Sequence, residues 1–470
     1  MLDLRSFLAA EAASVWRAPQ PVAVAHGVTA LQYAFAVRRR FPIVVIDKPL
    51  GADGAVGPIP VVCNLTASRA VTARALGIDD HRQAARRYAE RAARPIAPTV
   101  VAPGEAPVRE IVAQGDDADL TLLPALTQHA LDPGPYLTAA HATTFDPDTA
   151  VDNTAIQRCW IKGKRRMSWF PYPSSHNARN LRKFWAKGRA CPVAFWIGHH
   201  PAVLMGTQAK LAYPQSHWAA AGGVAGSPLR LVPSITHGDA IMVPADAEIV
   251  IEGWAPVDAL GVDGPFGEYT GYMGPQTVAP TVEVTCITRR RDALYHDYGS
   301  GLADMLVPDN MAMEGKLYAM VKAVAPSLVN VHVPVSGRRF HAYLQFEEPP
   351  AGEVRDALAA ALAYRRVKAA IALDTDIDIF DDEQVMWALA TRVQWHRDSF
   401  TLTGLSGSLL DPSMPAGART TSKIAIDATL PPAGVHTAPR PVPPVARIPE
   451  AAAAAATALA AAAGDTWPAQ

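Results

Sequence analysis

The sequence predicts a mixed chain of the α/β (α+β) class. It reads as an N-terminal α/β domain, a central barrel-like β domain, a linking helix and a C-terminal α/β domain. Three observations predict this. Helix-spaced and strand-like stretches alternate over residues 1–95, short strands between Gly/Pro turns dominate 109–300, and alternation returns over 328–400.

Taken in order, LRSFLAAEA and TASRAVTARALGI have helical spacing, and FPIVVIDKP is a short buried-strand run between breakers. The proline-rich stretch 94–108 marks a boundary. HATTFD, TAIQRCWIKG, AVLMGTQ, AIMVPADAEIVIEGW and TVEVTCITRRR then read as strands of a barrel-like domain. PDNMAMEGKLYAMVKAVAPS (308–327) reads as one long helix between domains. RRFHAYLQF and VKAAIALDTDIDIF follow as strands, with GEVRDALAAALAY and DDEQVMWALATRVQ as helices. The divisions are 1–105, 106–305, 306–327, 328–435 and a Pro/Ala-rich tail over 436–470, which is either disordered or a helix awaiting a partner surface.

Composition narrows the function classes. Of 470 residues, 49% are hydrophobic and 19% charged, enough for a large core. A net charge of −1 gives no global attraction to nucleic acid or an anionic membrane. The four cysteines form no Cys-x-x-Cys pair, against a zinc ribbon or disulfide scaffold. The N-terminal stretch lacks the basic start and apolar core of a secretion signal. No apolar run reaches the roughly 18 residues of a membrane span, so a cytoplasmic location is expected.

Several motifs fail on spacing. GLSGS is not a nucleophile elbow, and GGVAGSP has neither the P-loop lysine nor the dinucleotide-fold glycine order. DTDIDIFDDE lacks the central glycine of a calcium loop, and its alternation fits a half-exposed strand. Nine basic residues lie among aromatics within 161–189, a pattern that serves either single-stranded RNA or a solvated face; the near-zero net charge favours the second. His199 and His200 read as structural, since neighbours on a strand face opposite ways.

Two constellations stand out. Asn153, Ala155 and Gln157 share one strand face, with Arg158 opposite unless a bulge or turn intervenes. His176 and His217 lie on loops farther on, and three N/O donors of this kind could hold a metal. In GVDGPFGEYTGY, Asp263 and Glu268 flank a rigid Gly-Pro-Phe-Gly turn. They either satisfy turn amides or hold a proton in a cavity, where Phe266, Tyr269 and Tyr272 could raise a carboxyl pKa.

DNTAIQR, VPADAEIVIEG, DGPFGEYTGY and TTSKIAIDATLP, in this order, closely resemble the UbiD family of prenylated-flavin-dependent (de)carboxylases. The resemblance spans roughly residues 5 to 433 and is densest over 150–300. It implies a split-β-barrel domain that binds prenylated FMN and a C-terminal domain that forms a homodimer or higher homo-oligomer. It implies reversible non-oxidative decarboxylation of an aromatic, heteroaromatic or α,β-unsaturated carboxylic acid, with the flavin supplying the chemistry. A flavin prenyltransferase would supply that cofactor.

In that family's terms Arg158 grips the carboxylate and touches the flavin, Glu268 delivers the proton, and Asp263 ties Arg158 to Glu268. The resemblance places the cofactor against Asn153, Ala155, Ile156, Arg158, Ser175, His176, Thr207 and Gln208, with Lys423 approaching its phosphate. It also implies a divalent metal, usually manganese (Mn2+), together with K+. Asn153 and His176 match the metal ligands. The third ligand is normally a glutamate, and here His217 stands in its place. Imidazole removes a negative charge from a hard-cation site, which disfavours manganese relative to softer metals. Two rival classes remain: a non-catalytic flavin- or metal-binding partner subunit of a decarboxylase complex, and an RNA-binding protein using 161–189.

Overall fold

The computed structural model describes residues 2–415 and 417–430, and residues 446, 449, 450, 452, 453, 456 and 457. Residues 1–429 make one compact unit and 430–470 a second. The expected Pro/Ala-rich tail falls largely outside the described residues.

Ile43–Ile46 and Val61–Cys63 are buried along their whole length, as apolar runs without alternation are when both faces are covered. They are the inner strands of a four-stranded sheet ordered Val15–Arg17, Ile43–Ile46, Val61–Cys63, Tyr295–His296. The last of these returns from beyond the central β region.

A ten-stranded antiparallel sheet curls into a half-barrel. Its path runs Asp152–Ile156, His141–Phe145, Cys191–Ile197, Ile249–Ala255, Thr277–Arg289, Arg166–Ser168, Cys159–Gly163, Tyr136–Leu137. Leu260–Asp263 and Ile111–Gln114 also pair with the long Thr277–Arg289 strand. Cys191–Ile197 is buried at every position, and Phe195 lies opposite both Ala142 and Ile251. A third, five-stranded sheet runs Leu328–His332, His341–Phe346, Ala369–Asp374, Thr420–Asp427, Ser399–Ser406.

The long helix expected over 308–327 runs Ala303–Lys322 and carries Pro308 inside its early turns. Proline removes the N–H that would bond to the carbonyl four residues back, here that of Asp304. The Thr66 hydroxyl donates to this carbonyl instead, at 2.8 Å. The Asp304 carboxylate accepts from the backbone N–H groups of Asn64 and Thr66, so the helix start is tied to the N-terminal sheet.

Two local expectations are corrected. AVLMGTQ is no strand: Pro201–Gly206 is a helix buried at all six positions, so its apolar run carried no period to read. It packs closely on the helix His217–Ala225, where a Cβ at Gly206 would lie 2.5 Å from the Ala221 Cα. The strand expected through 380 ends at Asp374; Ile377 and Ile379 are buried from a turn beyond it, which mimics strand alternation. His200 caps the helix Pro201–Gly206, accepting from the Ala202 N–H at 3.1 Å. No helix among the described residues is long and apolar enough to cross a membrane.

Candidate active site

The strand Asp152–Ile156 stops before Gln157, and a new strand begins at Cys159. Gln157 pins the break: its Oε1 accepts from Trp169 Nε1 at 2.7 Å and from Asn177 Nδ2 at 3.0 Å. Because regular pairing lapses here, Arg158 lines the same cavity as Asn153, Ala155, Ile156 and Gln157. The cavity measures about 540 Å³, within the usual range for a small-molecule or cofactor site.

Asp263 ends the strand Leu260–Asp263 and is fully buried. Its Oδ2 accepts from Arg158 Nε at 3.0 Å and Nη2 at 2.7 Å, while Oδ1 accepts from the Ser168 hydroxyl at 2.6 Å. The next residue, Gly264, adopts φ +77° and donates its N–H to the Tyr136 hydroxyl. A side chain there would be strained and would crowd the Pro275 carbonyl at 3.0 Å. The chain then turns back so that Glu268 Oε1 accepts from Arg158 Nη1. Arg158 also lies over Phe170 and Phe266, 4.3 and 5.1 Å from the ring centres.

The order is therefore Asp263–Arg158–Glu268, with the arginine in the middle. This differs from the expectation that Asp263 ties the other two together. Burial raises the Glu268 pKa, and the Arg158 charge holds back part of that rise. Burial would lower the Arg158 pKa, but Glu268 and Asp263 outweigh it and keep the guanidinium charged. The wall so built presents a fixed cation beside a carboxyl inclined to hold its proton.

Sequence reasoning placed His176 and His217 on loops. Each is instead the first residue of a helix, His176–Ala186 and His217–Ala225, capped by Ser175 and Ser216. Asp152 Oδ1 accepts from the N–H groups of His217 and Trp218, which fixes the second helix against the Asn153 strand. The two imidazoles stand 6.0 Å apart, centre to centre, and both line the cavity with Ser175, Thr207 and Gln208. His217 Nδ1 is buried without a partner, and burial, with His176 and Lys210 nearby, lowers its pKa to about 3. The imidazole is neutral.

Lys423 does not line the cavity. Its ammonium is buried and donates to the carbonyls of Leu362, Tyr364 and Arg365 at 2.9, 2.8 and 3.3 Å, closing the end of the helix Glu353–Leu362. In this structure the Lys423 ammonium is thus held by backbone carbonyls, one of them that of the wall residue Arg365, rather than standing on the wall itself.

A second charge cluster on the wall was not found by sequence reasoning. Asp309 Oδ2 pairs with Arg339 Nη1 at 3.1 Å and Arg366 Nη1 at 2.5 Å, and Oδ1 pairs with the Lys210 ammonium. Burial alone would raise the Asp309 pKa, but these three cations hold it well below the carboxylate range. Burial lowers Lys210 to about 8, with Asp309 opposing. Arg365 joins the wall and donates to the Ser174 hydroxyl at 2.9 Å. The signals were the paired arginines in SGRRF and AYRRVK, distant in sequence from the β domain.

Phe170, Tyr172 and Phe266 offer flat apolar surface, and Arg158, Ser175, Thr207 and Gln208 offer polar contacts, a set that fits a flavin. The donors proposed for manganese fit poorly. Asn153, His176 and His217 include no carboxylate; Asn153 Nδ2 donates to Asn177 Oδ1 at 2.5 Å, which leaves the Asn153 Oδ1 as the one oxygen donor of the three. The carboxylates on the wall, Glu268 and Asp309, are both paired with cations. Among the described residues, no group of three or more His, Cys, Asp or Glu could hold a metal. Many basic residues of 161–189 are ion-paired: Lys164 with Asp119, Arg165 with Asp116, Lys183 with Asp146 and Lys187 with Asp148.

Comparison with known proteins gives a consistent result. The family model of the 3-octaprenyl-4-hydroxybenzoate carboxy-lyase Rift-related domain (UbiD) matches residues 99–302, and that of the carboxy-lyase C-terminal domain matches 310–428. Anhydromevalonate phosphate decarboxylase of Methanosarcina mazei is 31% identical over 326 residues, 69% of this chain and 74% of that protein. The UbiD-class enzyme HmfF from Pelotomaculum thermopropionicum, solved in complex with FMN, superposes with a TM-score of 0.86 at 32% identity, covering 94% of this chain and 97% of HmfF. An evolved dimeric form of HmfF in complex with prFMN gives 0.84 at 31% identity, covering 96% and 100%. With a half-barrel between two α/β regions and both family domains matched in order, the chain belongs to the UbiD family of carboxy-lyases.

Proposed function

We propose that this chain catalyses reversible, non-oxidative decarboxylation of an aromatic, heteroaromatic or α,β-unsaturated carboxylic acid with prenylated FMN. The observation that carries the reading is Arg158 held between Asp263 and Glu268 on the cavity wall. A binding subunit has no use for a buried cation beside a carboxyl of raised pKa.

When bound, prenylated FMN supplies the electron sink for breaking the carbon–carboxylate bond. Asn153, Ala155, Ile156, Arg158, Ser175, His176, Thr207 and Gln208 line the space in which it would sit. The protein's own contributions follow from the geometry. Asp263 fixes the plane of the Arg158 guanidinium, so its charge stabilises the substrate carboxylate without reorganising. Glu268, whose Oε1 accepts from Arg158, holds a proton at Oε2 and passes it to the carbon that CO2 leaves. Phe170 and Phe266 cover the guanidinium and limit water around it. In the carboxylation direction Glu268 accepts the proton instead.

The cofactor would come from a flavin prenyltransferase, and the active form would be a homodimer or higher homo-oligomer. The test is CO2 release from a panel of aromatic and α,β-unsaturated acids, by protein co-produced with a flavin prenyltransferase. Release from at least one acid, dependent on the prenyltransferase, supports the proposal. Silence across the panel with a fully loaded cofactor counts against this substrate class.

A further inference from the structure

We propose that this chain holds its flavin phosphate directly, on Lys210, Arg365 and the N-terminus of the helix His176–Ala186, without a divalent metal. The inference rests on the flavin reading above. It departs from the metal and K+ that the family resemblance implies, and the departure lies in this chain's own residues.

Manganese and similar hard cations are held by carboxylate and other oxygen ligands. At this wall two imidazoles and one amide, and no carboxylate, stand in their place. Asp152, next to Asn153 in the sequence, cannot supply the missing charge. Its Oδ1 is spent on the N–H groups of His217 and Trp218, and it does not line the cavity.

Five cationic side chains line the cavity, Arg158, Lys210, Arg339, Arg365 and Arg366, against three carboxyl groups paired with them, Glu268 and Asp309 on the wall and the buried Asp263 behind Arg158; among the described residues Arg365 has no carboxylate partner. A phosphate dianion reduces that surplus. A divalent cation enlarges it, in a site where low polarisability makes each unpaired charge costly.

The 11-residue helix His176–Ala186 begins at the cavity, so its first N–H groups and positive dipole end lie beside it. Arg365 reaches the same place through Ser174. His217, 6% exposed and lining this wall, keeps a buried Nδ1 with no partner, a polar group that the protein alone does not satisfy. A phosphate ester supplies acceptors for these donors.

FMN and riboflavin, which lacks the phosphate, separate the alternatives on the full-length protein. After EDTA dialysis, the FMN Kd should stay within about twofold of its value with added Mn2+. Lys210→Met should raise the FMN Kd by about tenfold or more and leave the riboflavin Kd unchanged. A metal retained at one per chain, with FMN affinity lost on EDTA treatment and restored by Mn2+, overturns the proposal. If Lys210→Met does not fold, His217→Glu decides. With an acidic donor restored, Mn2+ should tighten FMN binding in the variant and not in the parent, and an equal response in both overturns the proposal. Metal-dependent FMN binding defeats this inference alone, whereas no flavin binding at any metal concentration defeats the decarboxylase reading with it.

Discussion

Arg158 turns two of its donors, Nε and Nη2, onto a single oxygen of Asp263, at 3.0 and 2.7 Å. That contact leaves Nη1 to meet Glu268 and fixes the guanidinium plane against the cavity. Asp263→Asn should therefore lower kcat by roughly 10²-fold, because the cation is no longer preorganised, while FMN affinity changes little. Asp263→Ala should also destabilise the fold by about 3 kcal/mol, since it breaks a buried ion pair. Steady-state kinetics and urea unfolding read the two effects; unchanged values in both would remove Asp263 from the network.

Glu268→Gln keeps the shape of the side chain and removes its proton. Turnover should fall by at least about 10²-fold with the bound cofactor retained. Incorporation of deuterium from D2O into product should fall in parallel. Full activity in this variant would assign the proton to another group.

Burial lifts the Glu268 pKa above its ordinary 4.5, against the opposing charge of Arg158. The acid form is the proton donor, and it is present below that raised pKa. The decarboxylation rate should accordingly fall as pH rises through it. The same shift favours the folded state at low pH, a contribution fully present below about 4.5 and lost as pH rises through the folded-state value. A pH–kcat profile that stays flat or climbs on its alkaline side would contradict the donor role.

Lys423 carries three hydrogen bonds to the carbonyls after a helix and none to the cavity. Lys423→Met should cost about 3 kcal/mol of stability, because buried carbonyls lose a charged donor. The FMN Kd of the folded variant should match the parent. A weakened FMN Kd with unchanged stability would return Lys423 to the phosphate.

Much of this architecture was legible in the sequence because it rests on period and breakers. Ile43–Ile46, Ile249–Ala255 and Glu353–Leu362 follow from apolar runs or helical spacing bounded by turn residues. Pro201–Gly206 was misread because every position is buried, which erases the contrast between faces. Residues 375–380 were misread for the opposite reason: Ile377 and Ile379 turn inward from a loop at strand-like spacing. Arg158, Asp263 and Glu268 were found through a motif, but the arginine's central place depends on a lapse in strand pairing that sequence only allows. Lys210, Asp309, Arg339 and Arg366 come from four separate segments, and no local pattern announces that the fold brings them to one wall.

The proposed decarboxylation depends on prenylated FMN, and the most direct measurement is the absorbance and mass of the cofactor released from protein produced with and without a flavin prenyltransferase. Prenylated FMN at close to one per chain is expected when the prenyltransferase is present. Unmodified FMN alone, or no flavin, under those conditions would contradict it and favour a binding subunit.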